Sequence, residues 1–313
     1  MVIGGLAALV IGGRLFVNSS TALAQIFGVS DKFIAITVMA AGTSMPELTV
    51  SFIGALQGNS DVAIGNVVGS NIFNVLGILG LTAAFFPIKV DRSNLRFEIP
   101  FCIFLSVLLT IQAFNFFTGG TPVIGRADGI ILLLLFAVFM YYSFYRDRKS
   151  VENIDIQNEK QDCSGSVTPL WKAILTVIAG LGVLIVSCDV FVDKAVHVAK
   201  MLGMSEGVIS LTLIACGTSL PELAASVAAA IKKNTQLALG NIIGSNIFNI
   251  SLILGLSSQV TPLTSTGITF VDYLVMIGAA VITMIFGFTG KIGRAAGILL
   301  FAMFATYTIY LLN

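Results

Sequence analysis

Gly42-Thr43-Ser44-Met45-Pro46-Glu47-Leu48 is the stretch that organises this chain, because it occurs twice. The second copy, Gly217-Thr218-Ser219-Leu220-Pro221-Glu222-Leu223, follows 175 residues later. Another motif is repeated at the same offset. Residues 65–74 read Gly-Asn-Val-Val-Gly-Ser-Asn-Ile-Phe-Asn, and residues 240–249 read Gly-Asn-Ile-Ile-Gly-Ser-Asn-Ile-Phe-Asn. From the first motif to the end of the second, 18 of 33 positions are identical without a gap. The chain therefore consists of two related halves.

The composition indicates an integral membrane protein. Of its 313 residues, 56% are hydrophobic and only 11% are charged, whereas a soluble domain carries about 25% charged residues. The net charge of +1 argues against a nucleic acid as a partner, since nucleic-acid-binding domains are strongly basic.

Ten segments are long and apolar enough to span a bilayer, which requires about 20 residues. The predicted helices cover approximately 2–25, 30–57, 61–86, 95–116, 123–145, 169–199, 205–231, 236–258, 268–288 and 291–312. The sequence Gly125-Arg126-Ala127 returns as Gly293-Arg294-Ala295, so each half has five helices. An odd number places the halves in opposite orientations. The predicted fold is an all-α membrane protein of two inverted five-helix repeats with a site at the midplane.

The predicted domain organisation follows the repeat. The first five-helix repeat covers 1–146, with a motif core at 37–81, and the second covers 169–313, with a core at 212–256. Residues 147–168 are polar and of mixed charge, which is typical of a flexible linker.

The basic residues predict the orientation. With the N-terminus outside, the inside connections hold 13 of the 17 Lys and Arg residues. Because such residues favour the cytoplasmic side, we expect a multi-pass protein of the cell membrane, with both termini outside and the central loop in the cytoplasm.

The repeated motifs place oxygen atoms on shared helix faces. Thr43, Ser44 and Glu47 lie at i, i+1 and i+4, and Pro46 interrupts the backbone hydrogen bonds of their helix. In the next helix, polar residues recur every four positions, at Asn66, Ser70 and Asn74. The second half supplies Thr218, Ser219, Glu222, Asn241, Ser245 and Asn249. Bringing the halves together about a pseudo-two-fold axis makes a cage of two carboxylates, hydroxyls, amides and backbone carbonyls.

This set of oxygen ligands predicts a site for hard cations such as sodium, calcium or magnesium. A glutamate within a membrane span is costly and therefore indicates function. Two carboxylates balance one divalent or two monovalent ions, and these faces contain no Lys or Arg to pair with an anion. The paired glycines of the second motif, spaced as Gly-x-x-x-Gly, are also typical of close helix packing.

The doubled motifs resemble the alpha repeats of the cation/calcium antiporter superfamily, in particular its prokaryotic-type sodium/calcium exchanger branch. The resemblance covers nearly the whole chain and implies exchange of calcium for sodium by alternating access. It implies that Glu47 and Glu222 bind calcium, and also sodium. Further implied ligands are the side chains of Thr43, Ser44, Ser70, Thr218, Ser219 and Ser245 and the carbonyls of Ala40 and Ala215. Asn74, Asn249, Asn66 and Asn241 are predicted to line the site.

Asn249 stands where several family members carry Asp, an acidic pattern that the potassium-dependent branch resembles. This departure favours exchange without potassium and leaves calcium/proton exchange as an alternative. An intramembrane enzyme is not favoured, because no Ser/His, paired-Asp or metalloprotease spacing is present in the spans. A channel of the same architecture is a further alternative. We expect no cofactor, the transported Na⁺ and Ca²⁺ and the lipid bilayer as partners, and no obligate protein partner.

Overall fold

The protein is almost entirely helical in its computed structural model. The structure describes residues 2–114, 123–157, 169–201, 215–264 and 267–312. Side chains are described over 11–114, 123–148, 169–187, 216–264 and 267–311. Helices account for nearly all of these residues, and four two-residue strands lie in the connections.

The first half begins with one long helix and continues with helices that are repeatedly interrupted. Its α-helices are α1 (Val2–Phe27), α2 (Asp31–Ile34), α3 (Ala40–Thr43), α4 (Met45–Leu56), α5 (Ser60–Ile72), α6 (Gly80–Phe85), α7 (Ile99–Phe114) and α8 (Arg126–Gln157). Three π-helical stretches join or precede them, at Ala35–Met39, Phe73–Leu79 and Asn94–Glu98. The two strands are β1 (Ile88–Lys89) and β2 (Val123–Ile124).

The second half repeats this order over its described residues. Its α-helices are α9 (Leu170–Met201), α10 (Ala215–Thr218), α11 (Leu220–Ile231), α12 (Thr235–Ile247), α13 (Leu254–Val260), α14 (Phe270–Gly287) and α15 (Arg294–Leu312). A π-helical stretch, Phe248–Ile253, joins α12 to α13. The strands are β3 (Leu263–Thr264) and β4 (Lys291–Ile292). Part of the predicted helix at 205–231 falls on residues 202–214, which lie outside the described ranges.

The chain crosses the membrane several times. Within the described ranges, seven helical segments have the length and apolar character of a membrane span, and the bent pair Asp31–Thr43 and Met45–Leu56 makes an eighth. The segment 235–260 is 94% buried inside the protein over its apolar window, whereas 294–311 is only 11% buried. The segment 235–260, which carries the second copy of the Gly-Ser-Asn-Ile-Phe-Asn motif, is therefore central. Helix α15 presents most of its surface to lipid.

Helix α8 differs from the sequence-based expectation. It was expected to end near residue 145, before a flexible linker over 147–168, but it continues to Gln157. Residues 147–157 contain no Gly or Pro, so no residue in this stretch stops the helix once it has begun. The rest of the predicted linker, 158–168, lies outside the described residues.

Two short antiparallel ribbons connect the halves in a symmetric way. Strand β1 pairs with β4, with Ile88 opposite Ile292, and β2 pairs with β3, with Ile124 opposite Leu263. Each ribbon thus takes one strand from each half. Because β1 corresponds to β3 in the repeat, and β2 to β4, the two ribbons are equivalent to one another.

Close helix packing between the halves places the motifs in the centre. Helix α1 packs along α9, and a Cβ atom added at Gly180 would lie only 2.8 Å from the backbone nitrogen of Phe16. Helix α12 packs against Ala35–Met39, where a Cβ at Gly244 would lie 2.9 Å from the Cα of Ile36. The predicted packing role of the glycines is confirmed for Gly240 and Gly244, since a Cβ at either would crowd the first half.

Candidate ion-binding site

The first feature of the site is a break in each motif helix. Ser44 separates α3 from α4 with φ −82° and ψ 10°, and the helical segments Asp31–Thr43 and Met45–Leu56 are bent by 49° relative to one another. Ser219 separates α10 from α11 with φ −91° and ψ 10°. Pro46 and Pro221 lie in the first turn after each break, where a missing N–H costs no helical hydrogen bond. The interruption expected from the prolines is present in both halves.

Two fully buried carboxylates lie beside these breaks, and each is held by the opposite half. The Ser219 hydroxyl donates to Glu47 Oε1 at 2.7 Å, and the Ser44 hydroxyl donates to Glu222 Oε1 at 2.9 Å. Both glutamates have 0% exposed surface. Two further hydroxyls complete the group: Ser70 Oγ lies 3.1 Å from Ser219 Oγ, and Ser245 Oγ lies 3.4 Å from Glu222 Oε1. The structure therefore brings six predicted residues from both halves together.

The amides of Asn66 and Asn241 brace the broken helices. Asn66 donates through Nδ2 to the Glu47 carbonyl at 3.1 Å and lies 2.9 Å from Ser51 Oγ. Its Oδ1 lies 3.3 Å from the hydroxyl of Thr218. The second half has the same contacts, between Asn241 and the Glu222 carbonyl, Ser226 and Thr43. Ser51 and Ser226 were missed by the sequence reasoning, although they are identical at the repeat offset.

A cluster of four amides crosses between the halves next to the carboxylates. Asn74 Nδ2 donates to Asn246 Oδ1, and Asn249 Nδ2 donates to Asn71 Oδ1, both at 3.0 Å. Asn74 and Asn249 are the predicted site-lining residues, and both lie in π-helical stretches. The sequence reasoning missed Asn71 and Asn246, although both belong to the repeated Gly-Ser-Asn-Ile-Phe-Asn motif.

Four buried oxygens of this region have no hydrogen-bond donor. They are Glu47 Oε2, Glu222 Oε2, Asn74 Oδ1 and Asn249 Oδ1. Unpartnered buried acceptors are costly, and these four come in two symmetric pairs. Among the described residues, no Lys or Arg pairs with either carboxylate, and no third acidic, His or Cys residue joins them in a metal-binding group. The arrangement is suited to a hard cation that is bound by oxygen ligands.

The two predicted carbonyl ligands lie at the start of the short helices before the breaks. Ala40 is fully buried, and its carbonyl accepts from the backbone N–H of Ser44 at 3.0 Å. The Thr43 hydroxyl lies 3.5 Å from the same oxygen, which is too long for a strong hydrogen bond, so the second lone pair of this carbonyl remains available to an ion. Ala215 is the first residue of α10, and its side chain lies outside the described set.

Known proteins resemble this chain over its whole length. A family model described as "Sodium/calcium exchanger protein" matches residues 1–145 and 172–313. The chain belongs to this sodium/calcium exchanger family. Its relatives include CaxA of Alkalimonas amylolytica, with 36% identity over 100% of this chain and 98% of that protein. The sodium/calcium exchanger MaX1 of Methanosarcina acetivorans is 34% identical, over 98% of this chain and 96% of that protein.

Solved structures of the same family have a similar fold. The sodium-calcium exchanger NCX_Mj, soaked with zero Na⁺ and Ca²⁺, matches with a TM-score of 0.81 and 32% identity. The match covers 98% of this chain and 96% of that one. The predicted relationship to prokaryotic-type exchangers of the cation/calcium antiporter superfamily is thus confirmed.

Proposed function

We propose that the protein is a secondary active antiporter that exchanges calcium for sodium across the membrane by alternating access. The observation that carries this proposal is the pair of buried carboxylates, Glu47 and Glu222. Each is tied to a serine of the other half, and each keeps one oxygen without a donor. A site built from both halves changes shape when the halves move, so ion binding and conformation are coupled.

The charge of the site supports calcium and sodium as alternative occupants. Glu47 and Glu222, both ionised, carry a charge of −2, which one Ca²⁺ or two Na⁺ neutralise. At an effective dielectric constant of 20, two unit charges 4 Å apart interact by about 4 kcal/mol. The site cannot hold Ca²⁺ and its full complement of Na⁺ without an excess of positive charge. The two ions therefore compete, as an exchanger requires.

The ligand assignment is supported by geometry for the glutamates, serines and asparagines, and by the repeated motif alone for the threonines and alanines. We assign the ions to the unpartnered oxygens of Glu47 and Glu222, with the hydroxyls around them and the amide oxygens of Asn74 and Asn249. The hydroxyl and carbonyl ligands in this assignment are Thr43, Ser44, Ser70, Thr218, Ser219, Ser245, Ala40 and Ala215. Asn66 and Asn241 would support the site rather than bind the ions, because their amide groups are occupied by contacts with the motif helices.

The proposal includes the architecture: ten membrane spans form two inverted repeats, and the ions bind between the repeats. Its support is that equivalent contacts occur in pairs: the two ribbons, the two Ser–Glu bonds and the two amide pairs each join one half to the other. Contacts near the helix ends also agree with the predicted topology, because each joins two segments that are predicted to lie on the same side of the membrane. Lys89 lies opposite Lys291, and Asp31 accepts from Asn234, all in connections predicted to be inside. Asp61 accepts from Gly267, both predicted to be outside.

The test is uptake of calcium-45 into proteoliposomes that are loaded with sodium, with potassium or with neither. We expect rapid uptake only with internal sodium. Glu47→Gln and Glu222→Gln should each abolish it, because a dication would then face a single carboxylate in a poorly solvated site. Asp61→Asn removes a carboxylate from the first turn of α5, beside the connection that contains Gly267, and is the matched control, which should transport normally. Near-normal uptake in either glutamine variant would overturn the site assignment.

The same vesicles distinguish the alternatives. Uptake that is driven by a pH gradient without sodium would show that protons replace sodium as the coupling ion. Calcium flux that continues without any counter-ion gradient, and without saturation, would indicate a channel. Either result would overturn sodium/calcium exchange while leaving the family membership unchanged.

A further inference from the structure

The orientation of the four amides between the halves is determined by the protein backbone. Asn71 Nδ2 lies 3.3 Å from the carbonyl oxygen of Asn246, and Asn246 Nδ2 lies 3.3 Å from the carbonyl oxygen of Asn71. A carbonyl oxygen can only accept a hydrogen bond. The side-chain atom that faces it must therefore be the NH₂ group. This requirement orients the side chains of Asn71 and Asn246, so that each directs its Oδ1 away from that carbonyl.

The orientation is passed on to the second pair of amides. Asn71 Oδ1 faces Asn249 at 3.0 Å, and Asn246 Oδ1 faces Asn74 at 3.0 Å. Since an acceptor oxygen needs a donor, Asn249 and Asn74 must present their NH₂ groups to these oxygens. Their own Oδ1 atoms are then left over, buried and without a donor. All four residues are at most 2% exposed, so bulk solvent does not reach these bonds.

We propose that Asn71 and Asn246 are positioning residues that keep the amide oxygens of Asn74 and Asn249, rather than their NH₂ groups, directed at the transported cation. A flipped amide would present two N–H donors, which repel a cation. Each positioning residue acts on the other half: Asn71 on Asn249, and Asn246 on Asn74. The inference rests on the proposed function and identifies two residues that bind no ion but determine ion affinity.

The first experiment measures the half-saturating concentrations of calcium and sodium in proteoliposomes. Asn71→Ala removes both the anchor on the Asn246 carbonyl and the acceptor for Asn249. We expect it to raise the half-saturating concentration of calcium, sodium or both by about tenfold, which corresponds to about 1.4 kcal/mol. The maximal rate should change by less than about threefold, because the two ion-binding carboxylates, Glu47 and Glu222, stay in place. Thr283→Val, which removes a buried hydroxyl from α14, is the control and should change neither quantity.

The decisive measurement is a double-mutant cycle, because coupled residues give non-additive effects. In an Asn249→Ala background there is no amide left to orient. Asn71→Ala should then raise the half-saturating concentration by less than about twofold, instead of tenfold. The same coupling should link Asn246 with Asn74. The pair Asn71 and Asn74, which lie on one helix but share no such bond, should act additively. If Asn71→Ala does not fold, the cycle of Asn246 and Asn74 provides the same test.

Two results would overturn the inference. One is an Asn71→Ala protein with wild-type half-saturating concentrations for both ions. The other is a loss that is equally large with and without Asn249, because a general packing defect does not depend on the amide at that position. Both results leave sodium/calcium exchange intact if wild-type uptake requires sodium and Glu47→Gln abolishes it. Failure of those two controls would instead refute the proposed function itself.

Discussion

Replacing Gly244 with alanine tests whether close contact between the halves holds the ion site together. Gly244 packs α12 of the second half against the first half, directly next to Ser245. An added Cβ would lie 2.9 Å from Ile36 Cα, 3.0 Å from its carbonyl oxygen and 2.9 Å from Ala40 Cβ. Two of these neighbours are backbone atoms, which cannot relieve the clash by a change of rotamer as a side chain can.

The structure gives the size of the effect. Ordinary contacts begin at 3.4 Å, so α12 must retreat by about 0.5 Å, and overpacking of this kind costs about 1–3 kcal/mol. The same shift would lengthen the contact between Thr43 Oγ1 and Asn241 Oδ1, which is 3.4 Å, beyond hydrogen-bonding distance. Gly244→Ala should therefore weaken calcium binding as well as the fold.

Thermal unfolding in detergent and calcium-45 uptake measure the two consequences. At about 2 °C per kcal/mol for a chain of this size, the midpoint should fall by about 2–6 °C, and the half-saturating calcium concentration should rise severalfold. Gly278→Ala is the matched control, because a Cβ there has no described neighbour within 4 Å. It should be as stable as the wild type or slightly more so. If both alanine variants keep wild-type stability and calcium uptake, the argument from close packing is wrong.

Three further predictions address a site residue, an ion pair and the linker. In Asn249→Asp, a carboxylate oxygen would face Asn71 Oδ1 at about the present 3.0 Å, so we expect the new acid to hold a proton. Sodium-driven calcium flux is measured from pH 6 to 8 with and without potassium. The flux of the variant should fall more steeply in acid than that of the wild type, and the wild-type flux should be insensitive to potassium. Identical pH profiles of the two proteins would contradict this prediction. Lys32→Met breaks the 2.7 Å ion pair with the buried Glu98 and leaves that carboxylate with Arg146 at 3.9 Å. The loss in thermal unfolding should therefore be smaller than the about 3–5 kcal/mol of a buried charge without any partner, and Lys32→Met with Glu98→Gln should recover most of it. Shortening 152–164 should leave calcium uptake within a few-fold of the wild type, and complete loss in a folded protein would show that this segment is required.

The family, the membrane location and the central residues were predictable from sequence because they depend on composition and on local chemistry. Glu47 and Glu222 stand out because a carboxylate in an apolar span has a high energetic cost wherever the helix packs. Pro46 marks the start of a new helix, since a residue without an N–H fits the first turn of a helix better than its interior. The internal repeat can be recognised from the sequence alone. For these features, a short stretch of residues contains the whole physical cause.

The hydrogen-bond partners and the lengths of some elements were decided only by the tertiary structure. Ser219 meets a carboxylate 172 residues away, and Asn249 meets an amide 178 residues away. Which oxygen receives which donor depends on how the halves dock, and the spacing of residues along one helix contains no information about this. The π-helical stretches that contain Asn74 and Asn249 likewise appear only in the structure. The sequence by itself determined that two carboxylates and a set of oxygens would be buried in the membrane. Only the fold decided that serines cross between the halves and that backbone carbonyls set the direction of the amides, because those contacts exist only after the halves have packed together.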